Sequence, residues 1–139
     1  MKLSKVWPAA AVLAGALAVA APALAHHSTA MFDMDHEVQL TGTVKDFQWT
    51  QPHTWIDFDV PATGGADHYG IEGMSPSYLG RNGWTKHTLN PGDKVTVSIH
   101  PLKDGRKGGF DASVTFPDGH VMYNLPHAPP GAGGPPPKP

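Results

Sequence analysis

"VQLTGTVKDFQWTQPHTWIDFDV", Val38 to Val60, holds two apolar alternations that do not share one phase. Val38, Leu40, Gly42 and Val44 occupy even positions, a period of two that reads as a strand with one face inward. Phe47 and Trp49 then fall on odd positions. A slip of one residue near Lys45 and Asp46 predicts a β-bulge, which bends the strand it interrupts. After "TQP" the alternation resumes, with Thr54, Ile56, Phe58 and Val60 on the predicted core face and His53, Trp55, Asp57 and Asp59 on the other.

Downstream, "ATGGAD" is a hairpin loop into a short third strand, "HYGIEG". "SPSYLGRNG" is the one helical signal: Ser75 suits the cap, Pro76 the first helical position and Gly83 the stop, for two turns at most. The turn Asn90–Asp93, "NPGD", leads into Val95, Val97 and Ile99 alternating with Thr96, Ser98 and His100. "GFDASVTF" then places Phe110, Ala112, Val114 and Phe116 on one side, and "PDG" turns it into "HVMYNL". Three strands, a short helix and two or three further strands predict an all-β fold. The expected architecture is a five- to six-stranded, partly open barrel, OB-like, with its helix between strands 3 and 4. A barrel is preferred to an open sandwich because one bulged strand can pair on both sides and remove exposed edges.

The flanks set the compartment. Lys2 and Lys5 precede an uncharged run from Val6 to Ala25 that ends in Ala-Leu-Ala, so residues 1–25 read as a cleaved signal peptide. Pro8, Gly15 and Pro22 interrupt the run and no basic cluster follows it, which argues against a membrane span. The expected product is periplasmic and free of the membrane, with a leader at 26–37, a barrel domain at 38–125 and a disordered Pro/Gly-rich tail at 126–139. Losing Lys2 and Lys5 leaves eight basic against twelve acidic residues, a formal charge of −4 that argues against nucleic acid as a partner. The chain has no cysteine, hence neither a disulfide nor a lipid-bearing thiol.

Nine histidines are the main chemical resource. Cleavage after Ala25 would give His26 a free α-amine beside its imidazole, with a second imidazole on His27, the nitrogen donors that Cu(II) takes in a planar arrangement. His53, turned away from the predicted core, is the best further ligand. Met31, Met34 and His36 are additional candidate donors suited to Cu(I), although Met31, Phe32 and Met34 would also serve to pack the leader on the barrel. Trp55 and Asp57 form a candidate ligand face for a peptide, a glycan or a periplasmic protein partner. Trp49, Trp55 and Trp84 could together line a groove for such a ligand, but in so small a domain core or barrel-end packing is the better use of these rings, above all of Trp84 just after the helix.

Catalytic constellations are thin. The chain lacks a Gly-x-Ser-x-Gly elbow and a phosphate-cradling loop, and His53–Asp57 and His68–Glu72 are each about 13 Å apart along a regular strand. A copper redox enzyme using an N-terminal histidine brace would need a distant histidine brought to the metal. The expectation is therefore no enzyme. Lys103, Arg106 and Lys107 read as a solvated loop rather than an anion site.

Taken together, "AHHS", "GTVKDFQWTQPHTWIDFDV", "SPSYLGRNGWTKHTLNPGDKVTV" and "HPLKDG" resemble a family of small exported bacterial proteins whose domain has no known function. The resemblance spans about residues 25–125 and implies export and a compact β-rich domain, with no established activity. On its motifs stand His26, His27, Pro52, His53, Trp55, Gly83, Trp84, Gly92 and Asp93; where this chain has Gln51, the family more often shows asparagine.

Overall fold

The computed structural model of the chain describes residues 29–126. The predicted signal peptide, His26, His27 and nearly all of the predicted tail lie outside the described residues. A 3-10 turn, Thr29–Met31, precedes β1 (Val38–Gln48), β2 (Trp55–Ala62), β3 (Gly65–Glu72), α1 (Pro76–Arg81), β4 (Lys94–Pro101), β5 (Gly108–Thr115) and β6 (Val121–Tyr123). β1 pairs antiparallel with both β2 and β4, as its bend requires. A short parallel pairing of β3 with β5 closes five strands into a barrel, and β6 adds to β5 outside the closure. The expected partly open barrel is thus a closed one, with the helix where the sequence places it.

Closure depends on backbones meeting without side chains between them. A Cβ at Gly108 would sit 2.7 Å from the Gly70 carbonyl oxygen, on the seam where β3 and β5 pair. A Cβ at Gly42 would come within 2.2 Å of the Asp59 carbonyl, so the inward position midway along β1 has room only for glycine.

The predicted bulge is in place. β1 sets Val44 against Phe58 and Asp46 against Asp57, leaving Lys45 as the extra residue and returning Phe47 to the core side opposite Ile56. Val44, Ile56, Phe58, Ile71, Val97, Ile99 and Val114 form the buried centre, closed at one end by Leu79 and Trp84. Trp84 is buried, donating its indole N–H to the Tyr123 carbonyl at 3.1 Å, and Trp49 packs edge-on to Phe47. Ser75 caps α1, its hydroxyl accepting from the Tyr78 N–H, and Gly83 follows at φ +84°.

The alternation predicted for β5 is corrected. Ser113 pairs with Ser98, but Asp111 pairs with Ile99, so Ala112 is bulged out of register. Val114 keeps its inward place while Asp111, predicted outward, turns fully inside, and Phe110 turns to the outer side opposite His100.

The leader is bound to the barrel. Phe32 is buried, bridges to Leu102 and packs its ring 5.4 Å from Phe110, whereas Met31 and Met34 remain exposed. Farther along, the buried His100 ring bonds the His36 carbonyl at 2.9 Å and the Ser98 hydroxyl donates to Glu37 at 2.5 Å.

Candidate functional site

The β5 bulge turns Phe110 into the wall of a concavity. A groove of about 850 Å³ runs between the 3-10 turn and the mouth of the β2–β3 hairpin. Its walls are mostly apolar, from Met31, Phe32, Trp55, Met74, Phe110 and Leu125, with His53 and Glu72 as its ionisable pair. His53 lies just before β2 and Glu72 ends β3. The register that sets Trp55 opposite Glu72 brings His53 diagonally onto the same carboxylate. His53 donates from Nδ1 to Glu72 Oε1, with the two side chains 17% and 18% exposed. Phe110, turned out by the bulge, sets its ring nearly perpendicular to the imidazole with centroids 6.4 Å apart.

A buried polar network involves the chain neighbours of several lining residues: Thr54 beside His53, Asp111 beside Phe110 and Asn124 beside Leu125. Thr54 gives its hydroxyl to the Met74 carbonyl at 2.9 Å, and the Met74 N–H donates to Asn124 Oδ1 at 2.7 Å. Asn124 in turn donates from Nδ2 to Asp111 Oδ2 at 2.9 Å. Asp111 Oδ1 has no hydrogen-bond partner among the described residues. Burial pushes the Asp111 carboxyl up to about 8, against the opposing pull of the Asn124 hydrogen bond. The network joins the segment before β2, the segment after β3, β5 and the chain beyond β6.

The predicted site residues separate. His53, Met31 and Trp55 share the groove, with Trp55 39% exposed. Met34 and His36 are not on its walls; His36 bonds Asp33 Oδ2 at 2.9 Å, which holds the Asp33 carboxyl below its ordinary value. Asp57 shares the outer face of β2 with Trp55 but is not on the groove's walls, accepting from Gln48 at 3.4 Å and standing 3.9 Å from His68 Nε2. Arg106 pairs with Asp104, Lys107 with Asp67, and Lys103 gives its ammonium to the Ala30 carbonyl, which accounts for the basic loop. His26 and His27 lie outside the described residues. Among the described residues no three histidine, aspartate or glutamate side chains gather into a group able to hold a metal ion.

Glu72 is the residue that sequence reasoning missed. Measured along one strand it has no histidine within reach; its partner sits across the hairpin. The signal was available: "TG" at 63–64 is a two-residue turn between β2 and β3, and that turn fixes the cross-strand register.

Comparison with known families matches residues 14–112 to a family described as a family of unknown function (DUF6152). No curated protein and no solved structure matches the chain. Among the described residues no helix is long and apolar enough to cross a membrane.

Proposed function

The chain belongs to the family of unknown function DUF6152, and from that premise we propose an exported, non-catalytic β-barrel protein that binds copper where its processed N-terminus meets the His53 groove. One observation carries this reading: Thr29 and Met31 line the same groove as His53. Only His27 and Ser28 lie between His26 and Thr29, and an extended chain over those three steps spans at most about 11 Å. Cleavage after Ala25 then delivers an α-amine and the imidazoles of His26 and His27 within reach of the His53 ring. Glu72 acts as the outer partner, accepting from Nδ1 and fixing the orientation of the ring.

The test begins with the full sequence expressed for export in a bacterium. The intact mass of the recovered chain should correspond to a start at His26. A competitive Cu(II) titration should then give one tight equivalent, weakened at least about tenfold by one extra residue ahead of His26 and again by His53→Ala, about 1.4 kcal/mol each. Binding indifferent to both changes would sink the reading.

A second reading has its own support in the apolar walls and the exposed Trp55: a peptide, a glycan or a periplasmic protein partner seated along the groove. There Trp55→Ala abolishes binding of the partner and the N-terminal extension does nothing.

A further inference from the structure

We propose that the groove carries a second, softer donor set, formed by Met31, Met74 and His53, which takes a monovalent ion of the copper group, Cu(I) or its mimic Ag(I), without the N-terminal amine. The inference rests on the proposed copper reading only in sharing His53, and it uses described residues alone.

Both thioethers stand on fixed backbone. The Met31 carbonyl accepts from the Lys103 N–H at 3.0 Å, and the neighbouring Phe32 is buried against the barrel, so the 48% exposure of Met31 is not that of a frayed end. Met74 is held on both sides: its N–H donates to Asn124 and its carbonyl accepts from Thr54. From these two anchors each side chain enters the same groove as His53. A methionine has three rotatable bonds and an otherwise apolar side chain, so each thioether can change its position within the groove while its backbone stays fixed.

The chemistry of the walls selects the charge. Thioethers are soft donors that favour Cu(I) over harder divalent ions, and an imidazole is compatible with either. A mostly apolar groove penalises a divalent charge more heavily than a monovalent one. The Glu72 carboxylate, bonded to His53, supplies one negative charge, enough to balance a single positive one. By contrast, the amine and imidazoles of the N-terminal set favour Cu(II), so the two donor sets divide the oxidation states at one imidazole.

The experiment uses the chain expressed from its full sequence and measures Cu(I) affinity against a chromophoric Cu(I) chelator under reducing conditions, with Ag(I) as the air-stable probe. Met31→Leu and Met74→Leu conserve volume, so the fold should be retained, which thermal melting checks. Each variant should lower Cu(I) affinity at least about tenfold, or 1.4 kcal/mol, while Cu(II) affinity stays within about twofold. Copper–sulfur scattering in the X-ray absorption spectrum of the Cu(I) form should vanish in the double variant. A double variant with unchanged Cu(I) affinity, or a wild-type Cu(I) form lacking copper–sulfur scattering, overturns the proposal. If the methionine variants lose Cu(I) while an extra residue ahead of His26 leaves Cu(II) binding unchanged, this inference stands and the amine-terminal reading falls. The reverse pattern separates them the other way.

Discussion

Two strands of this barrel carry a bulge, and the two do different work. In β1 the extra residue is Lys45, an exposed side chain that reaches Asp59 at 3.7 Å. The bend costs no buried polar group and lets one strand serve both sides of the closure. In β5 the extra residue is Ala112, whose carbonyl accepts from the Asn124 and Leu125 N–H groups. That bulge turns a carboxyl into the interior and a phenylalanine out to the groove. The first shapes the fold, and the second supplies Phe110 to one wall of the candidate site at the expense of a buried acid. Local departures from ideal geometry that strain the interior tend to mark function, whereas those at the surface mark architecture.

The sharpest way to break this contrast is Asn124→Ala. It leaves the Asp111 oxygen and the Met74 N–H without their buried partner, and should cost about 3 kcal/mol or more in urea unfolding. A loss under about 1 kcal/mol would mean the network does not hold these segments together.

Next in size is a pH dependence belonging to β5 alone. The Asp111 carboxyl binds its proton more tightly in the folded chain, up to about 8, than in the unfolded chain at its ordinary value. Between those values the folded state holds the extra proton, so stability falls as pH rises from about 4 towards about 8. Asp111→Asn should remove that slope and stabilise the chain at pH 9 by about 1–3 kcal/mol. Parallel stability profiles for variant and wild type would show the acid to be unstrained.

A smaller effect belongs to the outward residue of the same bulge. Phe110→Leu should cost about 1–1.5 kcal/mol of stability and loosen the His53 ring, weakening Cu(II) binding as well. Unchanged copper affinity would confine Phe110 to packing. Smallest of all, Lys45→Ala removes only an exposed pair from the β1 bulge and should change stability by no more than about 0.5 kcal/mol. A larger loss would show that the β1 bulge also depends on its side chain.

The same contrast explains what could be read from the sequence. The β1 bulge was legible because the apolar residues themselves change parity, from Val44 to Phe47. The β5 bulge was not: Phe110, Ala112, Val114 and Phe116 alternate without a break, and it is tertiary packing against the leader's Phe32 and the His53 ring that makes an outward Phe110 favourable. Element order, the capped helix and the place of Trp84 followed from local rules of period, cap and turn. The His53–Glu72 pair depends on register across a hairpin, a relation that spacing along a single strand cannot reveal. Asp111 and Asn124 carry no local signal at all, since each is an ordinary polar residue until the bulge buries it.

The most direct test of the central claim is pulsed EPR on the Cu(II) form of the exported chain, counting the imidazoles bound equatorially through their remote nitrogens, beside the same measurement on His53→Ala. A folded site joining terminus and barrel predicts one imidazole fewer in the variant. An identical count in both would contradict it and leave the copper on the N-terminal histidines alone.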